Sequence, residues 1–276
     1  MERFYIVTND GKDRDGRVTD RIRHILEGAG KTCLFSEKDE KKSIIRETVP
    51  EDADCAIVIG GDGSLIEVAR ILKNEIPILG INMGTLGYLT EVDPARLDEA
   101  LAQILQGDYC IEERMMLEGH FQGKEPDVAL NDIVISRKGS LRVIHFDVYV
   151  NGACLNSYEA DGMIISTPTG STAYNLSAGG PVVEPTASLI VLTPICSHAL
   201  NTSSIVLSAE DEVIVQIGQG RNGREEEVFA TFDGADVVEM RTGDRVLVRR
   251  SEHVTKLMKL SKVSFLEIMR RKMKGN

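Results

Sequence analysis

Apolar positions recur along this chain in two rhythms, and the change from one to the other divides it. In the first part, short apolar runs alternate with segments of helical spacing. Arg3–Thr8 reads as a strand, after which Val18, Ile22, Ile25 and Leu26 fall at helical intervals and stop at Gly28-Ala29-Gly30. A strand over Thr32–Phe35 and a charged stretch over 37–54 lead to Cys55-Ala56-Ile57-Val58-Ile59, which is too short and too β-branched for a helix and reads as a buried strand. Ser64, with Glu67 three positions later, is a capping-box start for the next helix, and 76–81 is a further apolar run. Strands alternating with helices predict a parallel, doubly wound sheet, whose ligands bind beyond the carboxyl ends of its strands. Leu97, Leu101, Ile104 and Leu105 predict a helix over 94–105, ended by Gly107.

From Tyr109 the period shortens to that of strands. Runs at 109–119, 128–136, 143–150, 163–166, 190–192, 205–208, 213–217, 228–232 and 245–249 follow one another with turn residues between them, the signature of an all-β, sandwich-like domain. Near the C-terminus Phe265, Ile268 and Met269 share a helical face over 264–274. That helix is too short to be stable alone and is expected to pack back on the first domain. The expected class is α/β plus all-β. The expected domains are 1–108, joined by 252–276, and 109–251.

Composition narrows the function classes. At 276 residues the chain exceeds what one core ordinarily serves. No run approaches the ~20 apolar residues of a membrane span, and no signal-peptide pattern opens the chain, so a cytoplasmic protein without a membrane partner is expected. Five cysteines lie far apart with no CxxC, against a disulfide framework or a zinc site. A formal net charge of −11 disfavours nucleic acid as a partner. The cluster Asp10 to Gly16 lacks the ligand spacing of a calcium loop and reads as a solvated loop, and Gly30-Lys31-Thr32 lacks the first glycine of a P-loop, where Ile25 stands. None of the five histidines has metal-ligand spacing, and no protein-derived metal ligands are assigned.

Asp62 lies within Gly60-Gly61-Asp62-Gly63, between the buried strand and its helix. Glycine N–H groups at a helix N-terminus suit a phosphate, which an aspartate opposes unless a metal ion or an abstractable hydroxyl proton offsets its charge. Phosphoryl transfer is one reading; a tight turn in which Asp62 caps the helix is the other. A second constellation joins Asn131-Asp132 to Asp161-Gly162 and to Thr167-Pro168-Thr169-Gly170-Ser171-Thr172-Ala173-Tyr174-Asn175. Its hydroxyls can cap a helix, while Tyr174 offers a flat face and a hydroxyl, chemistry that fits a nucleoside.

Taken in order, the Gly-Gly-Asp-Gly turn, Asn131-Asp132 and Thr167 to Tyr174 with Ser177-Ala178-Gly179-Gly180-Pro181 resemble the NAD kinase family. The resemblance implies a Rossmann-like N-terminal domain, a β-sandwich-like C-terminal domain and a terminal helix returning to the first. It implies phosphorylation of the adenosine ribose 2′-hydroxyl of NAD to NADP, with ATP as donor, Mg²⁺ or another divalent metal, and a dimer or tetramer. By position, Asp62 matches the general base, with Gly61 and Gly63 beside the nucleotide. Asn131 and Asp132 match the pair holding adenosine, Asp161 a carboxylate near the nicotinamide end, and Thr172, Ala173, Tyr174, Asn175, Leu176 and Ser177 the segment lining the dinucleotide. Glu159 stands where many relatives carry Arg or Lys, which predicts weak binding of the product's 2′-phosphate; Arg142 is a weaker candidate to meet it. Ala235 and Ser197 also depart from the family pattern. The residues leave open polyphosphate as donor and NADH as acceptor. A lipid kinase sharing the Gly-Gly-Asp-Gly turn and a non-catalytic NADP sensor are the alternatives.

Overall fold

A computed structural model describes all residues except 41–42, 73–75, 85–86, 140–142, 199–202, 262 and 275–276. The chain forms two compact units, 1–113 with 255–276 and 114–254.

In the first unit the order is β1 (Arg3–Thr8), α1 (Arg17–Gly28), β2 (Thr32–Phe35), β3 (Cys55–Gly60), α2 (Asp62–Leu72), β4 (Ile78–Asn82) and α3 (Leu97–Gln106). The strands run parallel in the order β2-β1-β3-β4. Every residue of β3 is buried, which accounts for its unbroken apolar run: a parallel strand is covered on both faces. Chain order reverses between β1 and β3, and the crevice beyond such a switch point is where ligands bind. Two expectations are corrected at this edge. The helix begins at Asp62, two residues before Ser64, whose hydroxyl accepts from the Asn9 amide at 2.9 Å. The loop after β1 is solvated only in part: Asp13 is buried, accepting from the N–H of Val18 and from the N–H and hydroxyl of Thr19.

The second unit holds β6 (Asp127–Ala129), β7 (Asp132–Arg137), β8 (Ile144–Val150), β9 (Ala153–Ala160), β10 (Gly162–Ser166), the short α4 (Tyr174–Ser177), β11 (Leu189–Ile195), β12 (Ile205–Ser208), β13 (Val213–Ile217), β14 (Glu227–Phe232) and β15 (Ala235–Arg241). Two strands belong to both units, β5 (Cys110–Phe121) and β16 (Arg245–Lys259). One antiparallel sheet has the order β12-β11-β10-β7-β14-β15, and the first part of β16 pairs with β13, then β8 and β9. Side chains of both layers meet in one core, among them Phe146, Val148, Val213 and Val248 against Ile133, Ile165, Leu192 and Phe232. This is the expected sandwich.

The strand expected over 128–136 breaks at Leu130-Asn131 into β6 and β7, and β9 and β15 are additional. Neither added strand alternates cleanly: residues 153–157 are all exposed, so hairpin pairing with β8, not sequence period, builds β9. The helix expected from Ser/Thr caps at Ala173 is a 3₁₀ turn, Thr169–Thr172, followed by the single turn of α4. At the C-terminus α5 (Phe265–Met273) returns to the first unit, where the Phe265 and Tyr88 rings lie 6.2 Å apart. Glu91 anchors that return, accepting from Leu260 N–H and Ser261 N–H and pairing with Lys259 at 2.7 Å.

Candidate active site

In the first unit the site is built around one carboxylate. Asp62 sits in the first turn of α2, where a negative charge complements the helix dipole. Oδ1 accepts from Leu89 N–H at 3.2 Å and from Thr90 N–H and hydroxyl, both at 3.1 Å. Oδ2 accepts from Tyr88 N–H at 2.7 Å. Oδ1 is saturated, whereas Oδ2 keeps a lone pair for a further hydrogen bond. Gly87 is required at its position, because a Cβ there would stand 2.0 Å from Asp62 Oδ1 and 2.4 Å from the Thr90 hydroxyl. The capping reading is therefore incomplete: the carboxylate binds the segment after β4, 26 to 28 residues away. Gly61 is half-buried and Gly63 exposed beside it. A cavity of about 290 Å³ opens alongside, lined by Asn9, Asp10, Lys38, Ser64 and Glu67.

The second unit holds a tightly bonded nest around Asn131-Asp132. Asp233, at φ 52° and followed by glycine, accepts the N–H groups of Leu130, Asn131 and Asp132 at 2.8, 2.7 and 3.1 Å. The Thr167 hydroxyl donates to Leu130 O at 2.6 Å and its N–H to Asn131 O at 2.8 Å. Gly170 packs so closely on Asn131 that a Cβ would lie 2.1 Å from the carbonyl oxygen. Asp132 is buried, and desolvation, with the Asp233 carboxylate adding to it, pushes its carboxyl up to about 7.

From this nest the chain runs into α4. Tyr174, Leu176 and Ser177 are exposed, Thr172 and Ala173 half-buried. Asn175 differs: it is fully buried, its amide donating to Ser171 O and Pro181 O and accepting from the Thr193 hydroxyl. Its side chain braces the turn and presents nothing outward. Asp161 pairs with Arg137 at 3.3 Å. Glu159 bonds Arg221 at 3.0 Å and stands 3.3 Å from His145, contacts that hold its carboxyl below the usual range, the Arg221 hydrogen bond foremost. A cavity of about 640 Å³ near them is lined by Arg137, Lys138, His145, Arg221 and Arg224 among others. Arg142 lies outside the described residues.

Sequence reasoning missed Thr90, Asp233 and Arg137. The Asp-Gly at 233–234 was a usable turn signal; nothing near Thr90 or Arg137 pointed to a carboxylate partner. Among the described residues no group of three or more His, Cys, Asp or Glu side chains is set to hold a metal ion.

The first unit has a parallel sheet with a carboxylate at its switch point, one oxygen of which is open to a further hydrogen bond, and the second has a hydroxyl-rich nest with an exposed aromatic ring; the class these features suit is a nucleotide-dependent phosphotransferase. Residues 6–109 match the ATP-NAD kinase N-terminal domain and residues 130–260 the ATP-NAD kinase C-terminal domain. The NAD kinase of Lachnospira eligens is 47% identical, covering 99% of this chain and 100% of its own, and that of Agathobacter rectalis 45% identical, covering 100% and 99%. Among solved structures, an Archaeoglobus fulgidus NAD kinase in complex with ATP superposes with a TM-score of 0.79 at 25% identity over 99% of this chain and 97% of its own. Yeast NADH kinase complexed with NADH shares the fold, with a TM-score of 0.85 at 22% identity over 100% and 88%. The chain belongs to the NAD kinase family, and it is an enzyme that phosphorylates NAD. The lipid-kinase and sensor alternatives are not favoured, since both domain families match in order.

Proposed function

We propose that Asp62 is the general base of this NAD kinase and that its Oδ2 takes the proton of the adenosine ribose 2′-hydroxyl. The observation that carries this is the asymmetric seat of the carboxylate, with three bonds on Oδ1 and one on Oδ2. The hydroxyl oxygen then attacks the γ-phosphorus of ATP, the bond to the β-phosphate oxygen breaks, and ADP leaves with that electron pair. Gly61 and Gly63 border the donor's phosphates. Asn131 and Asp132 hold adenosine, while Thr172, Ala173, Tyr174, Leu176 and Ser177 line the dinucleotide; Asn175 supports them from below. Asp161, tethered by Arg137, faces the nicotinamide end.

A divalent metal fits this donor set only as a partner of the nucleotide, since Mg²⁺ commonly takes one or two carboxylates plus substrate phosphates and no all-protein cage is present among the described residues. The ion would be carried mainly by the donor's phosphate oxygens and would supply neutralisation of their charge, leaving Asp62 Oδ2 to the hydroxyl proton. The two compact units support dividing the chain into a Rossmann-like domain, 1–108 with 252–276, and a dinucleotide-binding domain, 109–251. No helix of the described residues is long and apolar enough to cross a membrane; a cytoplasmic location and a homo-oligomer are assigned on family grounds. Transfer of ³²P from ATP to NAD by the purified protein, with NADH and diacylglycerol as competing acceptors and with and without a chelator, tests the reading. Labelled NADP as the main product supports it; a labelled lipid, or transfer unaffected by Asp62→Asn, overturns it.

A further inference from the structure

We infer that Lys12 is a ligand of the donor's phosphate chain at the glycine turn of residues 60–63. The inference rests on the phosphoryl-transfer reading and names a residue that reading leaves out.

The loop carrying Lys12 is tied down on both sides of it. On one side Asn9 N–H donates to Ile59 O at 2.8 Å, the Asn9 amide donates to Ser64 Oγ at 2.9 Å, and Asn9 Oδ1 accepts Gly11 N–H at 3.0 Å. On the other, buried Asp13 accepts three bonds from the first turn of α1. Between these anchors the Lys12 side chain extends to the turn: a Cβ on Gly61 would lie 2.6 Å from its Nζ, and one on Gly84 would lie 3.6 Å away. The ammonium therefore stands beside the residue that precedes Asp62, at the amino end of α2.

Its electrostatic setting is what points to a ligand. Three lysines of this unit are matched, Lys38 with Thr8 O and Asp10, Lys31 with Glu2 and Lys259 with Glu91. Lys12 is exposed, and among the described residues no carboxylate oxygen, those of Asp62 included, lies within 4.0 Å of its Nζ. A cation at the positive end of a helix is disfavoured by the dipole unless an anion lies between them. A phosphate oxygen answers both, accepting from the ammonium and from backbone N–H groups of the glycine turn. The compact ammonium, with three rotatable donors, suits non-bridging phosphate oxygens whose orientation changes during transfer. Lys12 thus holds the donor next to Asp62, and it takes no part in the proton transfer.

The test uses the full-length enzyme with Lys12→Gln and Lys12→Arg. Initial rates are measured with ATP varied at saturating NAD and with NAD varied at saturating ATP, and ADP is titrated calorimetrically. Lys12→Gln is expected to raise the KM for ATP and the Kd for ADP on the order of 10- to 100-fold, the range for loss of a hydrogen bond to a charged group. The KM for NAD and the melting temperature should not move, and Lys12→Arg should recover most of the loss. An unchanged KM for ATP and Kd for ADP in Lys12→Gln overturns the inference, as does a KM for NAD that rises in step with that for ATP. Failure of the wild-type protein to phosphorylate NAD would instead sink the proposed mechanism, and the ADP titration would still report on Lys12.

Discussion

The backbone N–H and the side-chain hydroxyl of Thr90 both donate to one oxygen of Asp62, each at 3.1 Å. This double tie fixes the rotation of the carboxylate and turns Oδ2 into the oxygen with capacity to spare. Asp62→Asn keeps the size and removes the proton acceptor, so turnover should fall ~10²- to 10⁴-fold. NAD affinity should be nearly intact. The amide also sets an NH₂ group against backbone donors, so a drop in melting temperature should accompany the lost rate. Single-turnover kinetics beside an NAD titration checks this; full activity in the variant would return Asp62 to a helix cap.

Tyr174 is 46% exposed, on a turn whose interior is held by Asn175. Tyr174→Ala should therefore weaken NAD binding by about 1–3 kcal/mol, as for loss of a base-stacking face, with little change in melting temperature. Asn175→Ala should do the reverse, leaving its buried neighbours unpaired and lowering stability by about 1–3 kcal/mol. Calorimetric NAD titration and thermal melts on the two variants separate the roles.

Glu159 is matched by Arg221 at 3.0 Å and by His145 at 3.3 Å, so it reaches any ligand as part of a cluster and not as an isolated negative charge. Glu159→Arg removes the acceptor and leaves two guanidinium groups beside His145. The product carries a 2′-phosphate of roughly two negative charges near neutral pH, so NADP should tighten several-fold while NAD changes little. Dissociation constants at two salt concentrations decide it, and equal shifts for the two ligands would place residue 159 away from the phosphate.

The Asp132 carboxyl titrates at about 7 in the folded protein, raised first by burial and then by Asp233. Unfolded, it titrates at about 3.9. The folded state holds the proton more tightly, so this group's stabilisation is complete below the unfolded value and is lost as pH rises through about 7. Between about pH 6 and pH 8.5 the wild-type protein should lose about 1 kcal/mol on this account. Asp132→Asn should flatten that slope, as read from urea midpoints at the two pH values.

The buried strand over Cys55–Gly60, the glycine turn and the helix after it were legible because period, β-branching and helix-start chemistry act over a few neighbouring residues. So was the change of texture near Tyr109. Tertiary structure decided which side chains close on which carboxylate. Thr90 meets Asp62 across 28 residues and Asp233 meets the N–H of Leu130 across 103, and hydrogen-bond satisfaction at that separation leaves no mark in local period. It also sorted a run of equally polar residues: Asn175 turned inward because Ser171 O, Pro181 O and the Thr193 hydroxyl surround it, while Tyr174 beside it turned out. The identities of the candidate groups belong to the sequence; their hydrogen-bond partners, and hence which carboxylate oxygen has capacity to spare, belong to the fold, because only the assembled sheet brings distant donors to one atom.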